Sequence, residues 1–351
     1  MTLDLRDVRI DAVVARALTV PLVEPFVIAT GRVDATRAVE VSATVHWRGR
    51  TATGLGEAAC LPPVTREDQG DVLDELAQAR LRSGADLDAL GTVARAGVET
   101  AVCDALARIA GVPLRELLGP GSTESLETDV TVAIAAPSKM GELARAWVAR
   151  GFRALKVKVG KDVDGDARAL EAIGRAAPDA VLRVDANAGY TADQALALAR
   201  ACEALHLDIE CWEQPCAADD LDGMARVARA LDAPVIADES VRSLADLEVL
   251  LARRYADGVN LKLAKSGGPL ACLAIGRAAR EAGLRVMVGG MVETRLGMTA
   301  AAHVACALGG ADFVDLDTAW LLADDPYVGG YVADGPRYRL PPAPGLDVRR
   351  R

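Results

Sequence analysis

Histidine is scarce in this chain, which has only 3 among its 351 residues. His46 and His206 have no other candidate metal ligands close to them in the sequence, so a histidine-based metal centre is not expected there. His303 lies in the helical run AAAHVACA and is predicted to be a packed helix residue. Catalysis by histidine is therefore not the expectation.

Cysteine pairs are also lacking, since the 7 cysteines are odd in number and form no CxxC motif. Cys211 and Cys216 flank the segment WEQP, and a zinc site is not expected there. The helix-like surroundings of Cys202, Cys272 and Cys306 are typical of small buried hydrophobic residues. The pattern predicts a reducing cytoplasm as the location.

The chain lacks excess positive charge and long apolar runs. Its formal net charge is −10, which argues against nucleic acid or an anionic membrane as a partner. No apolar run reaches the roughly 20 residues that span a bilayer. The first residues, MTLDLRDVRIDAVVARAL, contain acids and no uninterrupted apolar centre, so no signal peptide is expected.

The first third of the chain is predicted to form an α+β capping domain over residues 1–125. AVEVSATVHW and TATGLGEA alternate with a period of two around a turn at Arg48-Gly49-Arg50. The segment VPLVEPFVIATGRV before them is expected to be an unusually apolar loop. Residues 68–118 are predicted to be helical, with one helix closing at Gly111.

From about residue 126 the sequence alternates strictly between strand-like and helix-like segments. Eight strand-like segments predict an α/β fold, a (β/α)7–8 barrel of the TIM type over residues 126–320. The segment 321–351 shows no further repeat and is expected to complete the capping domain. The eight segments are TDVTVAIA, RALKVKV, VLRVDA, IECWEQ, PVIADE, GVNLKLA, LRVMVGG and DFVDLD.

Lysines and acids recur along this barrel at intervals of 24 to 28 residues, about one strand-plus-helix unit. Side chains at successive strand ends meet at one mouth of a barrel, so these residues are candidates for one site. Lys156 and Lys158 lie two apart and therefore share one face of a strand. The series in chain order is Lys158, Asp185, Glu213, Asp238 and Lys262.

The three acids, Asp185, Glu213 and Asp238, are candidate ligands for Mg²⁺, which prefers oxygen donors. Any one of them alone is better explained as a helix cap or a loop anchor. Three acids converging at one mouth would repel one another, and a cation relieves that repulsion.

The two lysine positions suggest proton transfer beside a carboxylate. A lysine that is desolvated and close to other cations has a lowered pKa and can act as a general base. Lys158 and Lys262 on opposite strands could remove a proton from one face of a carbon and return it to the other. A bound metal would stabilise the enediolate formed between those steps.

The segments KVK, DAN, WEQP, ADES and NLKLAKSGG, in this order, resemble the enolase superfamily in its muconate-lactonizing-enzyme-like subgroup. The resemblance covers nearly the whole chain. It implies that Lys158 and Lys262 are the acid/base pair, that Lys156 assists, and that the three acids bind magnesium. The absence of a histidine from the seventh strand does not support a base of the mandelate-racemase type.

The eighth strand, FVDLDTAW, narrows the range of expected substrates. Asp315 and Asp317 share one face, and two acids there could bind an ammonium group. This DxD resembles the motif of dipeptide epimerases such as L-Ala-D/L-Glu epimerases, as do Met291 and Glu293 in MVGGMVETRLG. Other members of the subgroup stay open as alternatives: N-acylamino acid racemase, o-succinylbenzoate synthase and cycloisomerase.

The predicted loop VPLVEPFVIATGRV bears on the identity of X, the C-terminal residue of an L-Ala-X dipeptide. Relatives that act on Ala-Glu have an arginine five residues after the Phe of the PF pair, whereas this chain has Gly31 there and Arg32 one place later. Val27 and Ile28 in this loop fit an apolar X better, whereas Glu24 leaves a cationic X open, so a non-acidic X is expected. Phe26, Ile28 and Arg32 are the candidate substrate-binding residues of the loop. Whether Arg32 takes over the arginine's role is open.

Two alternatives outside the superfamily are also open. One is a Schiff-base aldolase that uses Lys262 as a covalent nucleophile, which leaves the three acids unexplained. The other is a non-catalytic barrel that binds a small molecule. The expected partner is a small dipeptide, without nucleic acid or membrane, and assembly of identical chains is open.

Overall fold

The computed structural model describes residues 3–29, 31–119 and 121–351. Its first module is an antiparallel sheet in the order β1-β2-β3, covered by helices. The central helix packs closely on the sheet because Gly54 and Gly56 leave room for its backbone; a Cβ atom on Gly56 would lie 2.2 Å from the carbonyl oxygen of Gly97. The elements are β1 (Arg9–Ile28), β2 (Gly31–Trp47), β3 (Arg50–Cys60), α1 (Gln69–Gln78), α2 (Thr92–Ala110) and α3 (Leu114–Leu118).

The predicted turn at Arg48 and Gly49 is present, with positive φ angles at both residues. Helix α2 ends as predicted, since Gly111 adopts the left-handed conformation that glycine accommodates without strain.

The apolar segment expected to be a loop is instead the end of β1. A bulge interrupts its pairing with β2, since Pro21 pairs with Ala35 and Phe26 with Val33. Within the bulge, the backbone nitrogen of Val23 donates to the carbonyl oxygen of Leu321 at 2.9 Å. The prediction of a loop was wrong because the segment also contacts residues that are distant in sequence, such as Leu321 and Ile134.

All eight predicted barrel strands are present in one parallel sheet, in sequential order. The first and last strands meet at a seam, where the backbone nitrogen of Asp129 donates to the carbonyl oxygen of Val314 at 3.0 Å. The barrel is thus nearly closed. The strands, which follow β4 (Ser125–Glu127), are β5 (Val130–Val132), β6 (Ala154–Lys158), β7 (Val181–Asp185), β8 (Ile209–Glu213), β9 (Val235–Ala237), β10 (Gly258–Leu261), β11 (Arg285–Gly289) and β12 (Phe313–Asp315).

Helices between the strands enclose the barrel, and a short helix, α9, follows β10 before the longer α10. Several begin with a side-chain cap, such as Thr191 before α6. The helices are α4 (Pro137–Ala149), α5 (Val163–Ala176), α6 (Ala192–Ala204), α7 (Leu221–Ala230), α8 (Leu244–Arg253), α9 (Leu263–Ser266), α10 (Pro269–Glu281) and α11 (Arg295–Ala307).

The C-terminal segment forms short strands and returns to the first module. The backbone nitrogen of Leu346 donates to the Asp104 carboxylate at 2.7 Å, and the Tyr327 hydroxyl donates to Glu40. Both acids belong to the first module. The strands are β13 (Tyr327–Gly329), β14 (Val332–Asp334), β15 (Arg337–Arg339) and β16 (Val348–Arg350).

In the part of the chain that the structure describes, no helix is long and apolar enough to cross a membrane. The seven cysteines are all buried and unpaired.

Candidate active site

The barrel brings the recurring lysines and acids together at the carboxyl ends of its strands. Parallel pairing places Lys158 of β6 beside Asp185 of β7, and Asp185 beside Glu213 of β8. Asp238 and Lys262 directly follow β9 and β10. All these side chains are buried, so their charges act on one another in a medium that screens them weakly.

Lys156 is the centre of the charge network. Its Nζ atom lies 3.1 Å from Asp185 Oδ2, 2.8 Å from Glu213 Oε2 and 2.6 Å from Asp315 Oδ2. Burial lowers the pKa of Lys156, but the surrounding carboxylates, led by Asp315, outweigh it and raise the pKa well above its usual value. Lys156 is therefore a fixed positive charge that links three acids.

Lys158 and Lys262 face one cavity from opposite sides of the barrel, because β6 and β10 are separated by three strands in the sheet. Lys158 Nζ lies 2.5 Å from Asp185 Oδ2, and Lys262 Nζ lies 2.7 Å from Asp238 Oδ2. Burial lowers the pKa of Lys262, but the carboxylates around it, led by Asp238, together outweigh burial and raise the pKa above its usual value. The expected lowering does not hold for Lys262 in this arrangement because the carboxylate partner stabilises its charge.

Two buried residues of this network escaped the sequence interpretation. Lys265 Nζ donates to Asp238 Oδ1 and to the carbonyl oxygen of Asn260, both at 2.7 Å. Asn260 Nδ2 donates to Glu213 Oε1 at 2.8 Å. The signal was the segment NLKLAK itself, since α9 turns directly after Lys262 and brings Lys265 back toward Asp238.

The three candidate metal ligands are all carboxylates with 1% exposure or less. Among the described residues, no group of three or more acidic, histidine or cysteine side chains has the arrangement of a metal site. Lysine ammonium groups contact the three carboxylates in this structure. Glu213 Oε2 is buried without a hydrogen-bond partner in that part of the chain. Burial, and then the charge of Asp185, raise the pKa of Glu213.

This donor set fits Mg²⁺ in its chemistry. The oxygen ligands are hard. Glu213 Oε2 lies 2.8 Å from Lys156 Nζ but accepts no hydrogen bond from the described residues, so a cation can still coordinate it. Five buried carboxylates at this mouth, including Asp315 and Asp317, face four buried lysines, so negative charge is in excess. The assignment of Asp185, Glu213 and Asp238 as the ligands stays a prediction.

The cavity between the lysines also contains most of the predicted substrate-binding residues. Its free volume in this structure is about 30 Å³. The cavity also includes residues that sequence reasoning did not single out. The lining consists of Phe26, Ile28, Met291, Asp315 and Asp317 as predicted, together with Leu61, Val64, Thr131, Asn187, Gly290, Val292 and Thr318.

The two acids of the eighth strand differ in their surroundings. Burial raises the pKa of Asp315, but the lysines around it, led by Lys156, together outweigh burial and lower the pKa overall. Burial and the neighbouring Asp315 raise the pKa of Asp317 to about 6. Asp317 Oδ2 accepts from the backbone nitrogen of Thr131 at 2.6 Å, whereas its Oδ1 is buried and has no partner among the described residues.

Arg32 does not lie in this cavity. It is exposed at the tip of the β1–β2 hairpin, where it pairs with Val27. The sequence left open whether Arg32 contacts the substrate. In this arrangement the hairpin register directs Arg32 outward, and its role as a substrate-binding residue stays a prediction.

Glu293 lies beneath the cavity wall and does not line it. Its Oε1 accepts from the backbone nitrogen of Met291 at 2.8 Å. Beside it, Glu57 of the first module accepts hydrogen bonds from Thr294 and from the backbone nitrogen of Gly297. These two acids hold the loop that contains Met291 and tie α11 to the first module.

Asn187, Glu239 and His303 also have defined contacts. The backbone nitrogen of Asn187 donates to Asp185 Oδ1 at 2.9 Å, so Asn187 orients an acid, while the cap of α6 is Thr191. Its side chain lies 3.5 Å from Glu239. His303 is buried in α11, where burial lowers its pKa to about 3, and it accepts a hydrogen bond from Arg115, as expected of a packed residue.

Comparisons with known proteins agree with this geometry. Residues 139–349 match the family described as enolase C-terminal domain-like. The aromatic dipeptide epimerase of Herpetosiphon aurantiacus is 38% identical over 97% of this chain and 98% of its own.

Two solved structures are similar to this chain over nearly its whole length. The substrate-liganded L-Ala-D/L-Glu epimerase of Bacillus subtilis has a TM-score of 0.92 and 34% identity, covering 97% of this chain and 98% of its own. The dipeptide epimerase of Enterococcus faecalis, in complex with Mg and L-Leu-L-Tyr, has a TM-score of 0.90 and 31% identity, covering 97% of this chain and 100% of its own.

Proposed function

Because this chain belongs to the family of enolase C-terminal domain-like proteins, we propose that it is a magnesium-dependent dipeptide epimerase, an isomerase. Its reaction is inversion of the α-carbon of the C-terminal residue in a dipeptide of the L-Ala-X type. The observation that carries this proposal is the position of Lys158 and Lys262 on opposite sides of a cavity that also contains Asp315 and Asp317.

The two lysines perform a two-base transfer. One lysine, as a neutral amine, takes the proton from the α-carbon, and the electron pair of the broken C–H bond passes into the adjacent carboxylate to give an enediolate. The other lysine, as an ammonium, gives a proton to the opposite face of that carbon. The configuration is inverted, and the two lysines exchange protonation states.

Asp185, Glu213 and Asp238 would hold Mg²⁺, which when bound stabilises the negative charge that develops on the substrate carboxylate. Lys156 contributes a second positive charge fixed among these acids. Lys265 and Asn260 orient Asp238 and Glu213 by hydrogen bonds, so the acids keep their positions while protons move.

Asp315 and Asp317 bind the ammonium group at the other end of the dipeptide. The unpartnered Oδ1 of Asp317 is an acceptor that a substrate N–H group would satisfy. Two acids at this place suit a free amino terminus and not an acylated one, which favours a dipeptide over an N-acylamino acid.

The side chain X is apolar in this proposal. The walls beside the lysines include Ile28, Leu61, Val64, Met291 and Val292, and Arg32 is exposed outside the cavity. A carboxylate on X would find no arginine among the lining residues, and Lys158 and Lys262 are already paired with Asp185 and Asp238. Its burial is therefore unfavourable.

A library of L-Ala-X dipeptides in D₂O with Mg²⁺ tests the proposal. Deuterium incorporation at the α-carbon of X should be fastest for apolar X such as Leu and at least tenfold slower for Glu. Preference for Glu would overturn the apolar assignment, and absence of exchange across the library would overturn the function.

A cytoplasmic location is also proposed. Seven buried, unpaired cysteines are typical of a protein kept in a reducing compartment. Fractionation of cells that express the full chain, followed by immunodetection, tests this directly.

A further inference from the structure

A second, larger cavity adjoins the catalytic one. Its volume is about 480 Å³, which lies in the range of 300–1,000 Å³ that is common for small-molecule pockets. Phe26 and Thr131 line both cavities and so form the partition between them. We call this second cavity the annex; it is lined by Val23, Glu24, Pro25, Phe26, Thr131, Ala133, Ile134, Ala135, Lys139, Leu143, Trp147, Arg150, Trp320 and Leu321.

Backbone hydrogen bonds frame the annex on two sides. The nitrogen of Val23 donates to the carbonyl oxygen of Leu321 at 2.9 Å, and the nitrogen of Ile134 donates to the carbonyl oxygen of Val27 at 3.0 Å. These bonds join the first module to the segments that follow β12 and β5. The annex is therefore bounded by segments that are hydrogen-bonded to one another.

The chemistry of the annex is mainly apolar and aromatic. The Arg150 guanidinium lies between the Trp147 and Trp320 rings, 4.3 and 4.7 Å from their centroids. Lys139 at the rim is 3.5 Å from Glu24, which balances its charge. A large apolar side chain would therefore contact indole, alkyl and stacked guanidinium surfaces.

The position of the annex indicates which part of a substrate would reach it. Asp317 accepts a hydrogen bond from the backbone nitrogen of Thr131, and Thr131 belongs to the partition. An amino terminus bound at Asp315 and Asp317 places the α-carbon of the first residue beside Thr131. The side chain of that first residue is thus the nearest group to the annex, while X lies between the lysines.

We propose that the annex binds the side chain of the first residue of the dipeptide, and that this side chain can be large and aromatic. The proposal rests on the dipeptide epimerase function above and extends its substrate class from L-Ala-X to dipeptides such as L-Phe-X.

Matched substrates and variants test the annex. The kcat/KM values for L-Phe-L-Leu and L-Ala-L-Leu are measured by deuterium incorporation for the wild type and for Ala133→Phe, which fills the annex. Ala149→Phe, on an exposed position of α4, is the control. The kcat/KM for L-Phe-L-Leu divided by that for L-Ala-L-Leu should fall at least tenfold in Ala133→Phe and not in Ala149→Phe. A change of this size is typical of steric discrimination by apolar pockets.

Leu143→Ala enlarges the annex and supplies an independent readout if Ala133→Phe fails to fold. It should raise the kcat/KM of L-Trp-L-Leu relative to L-Phe-L-Leu. Ratios unchanged in the folded variants, or changed equally in Ala149→Phe, would overturn the annex proposal. Absence of exchange from both dipeptides in the wild type would instead contradict the epimerase function, so the two failures are distinguishable.

Discussion

The Nζ atom of Lys156 lies 2.6 Å from Oδ2 of Asp315, which joins the two halves of the site. On one side, Lys156 contacts Asp185 and Glu213, two of the candidate metal ligands. On the other, Asp315 is one of the two acids proposed to bind the substrate ammonium. The charge at the amino end of the substrate is therefore coupled to the charge at its reacting end.

Asp315→Asn should impair dipeptides more than N-acetylated amino acids. The amide keeps an oxygen that can accept from Lys156, but the negative charge toward the ammonium is lost, at a cost of roughly 1.5–3 kcal/mol for a charged hydrogen bond. The kcat/KM of L-Ala-L-Leu should fall about 10- to 100-fold, with a smaller loss for N-acetyl-L-Leu. Equal losses would show that Asp315 does not recognise the ammonium.

Mg²⁺ should raise the unfolding temperature of the wild type but not of Glu213→Gln. At a concentration one hundred times its dissociation constant, a ligand stabilises the native state by about 2.7 kcal/mol. Calorimetry with and without Mg²⁺ measures this without any turnover. Glu248→Gln, on an exposed position of α8, should respond like the wild type; an equal response in Glu213→Gln would exclude Glu213 as a ligand.

Glu57 should make stability depend on pH. Burial, and then the charge of Glu293, raise its pKa from 4.5 to about 8. The folded state therefore holds a proton that the unfolded state releases above about pH 4.5. The contribution of this group to stability is full below that pH and is lost as the pH rises toward about 8.

Urea unfolding at pH 5, 6, 7 and 8 measures this effect. The free energy of unfolding of the wild type relative to Glu57→Gln should decrease with pH, by at most about 1.4 kcal/mol per unit for one group. Glu248→Gln serves as the exposed control. A difference between wild type and Glu57→Gln that does not change with pH would refute the burial of a protonated Glu57.

The barrel was predictable because its signals are local and repeat. Each strand has its own apolar alternation, and Asp185, Glu213 and Asp238 recur one unit apart, so their convergence follows from the topology. The placement of Lys156 and Lys158 on the same face of β6 was predictable because side chains two residues apart in a strand point the same way.

Other features depend on contacts between distant residues. The bulged end of β1 was misread as a loop because Val23 pairs with Leu321, which no local pattern indicates. The outward position of Arg32 follows from the hairpin register. The pair formed by Glu57 and Glu293 joins two modules through a tertiary contact.

The proposed mechanism depends on the assignment of Lys158 and Lys262 as its two bases. Lys158→Ala and Lys262→Ala each remove one of the two groups that a 1,1-proton transfer needs, so both should lose epimerisation by several orders of magnitude. The remaining lysine in each variant still faces one side of the α-carbon. Exchange from a single stereoisomer can therefore persist in either variant, and the isomer should differ between them.

Solvent deuterium exchange of L-Ala-L-Leu and L-Ala-D-Leu by Lys158→Ala and Lys262→Ala, each with Mg²⁺, tests this claim most directly. The predicted result is no epimerisation in either variant, with any residual exchange confined to one isomer in one variant and to the opposite isomer in the other. Full epimerisation by both variants, or residual exchange of the same isomer in both, would contradict the two-base account.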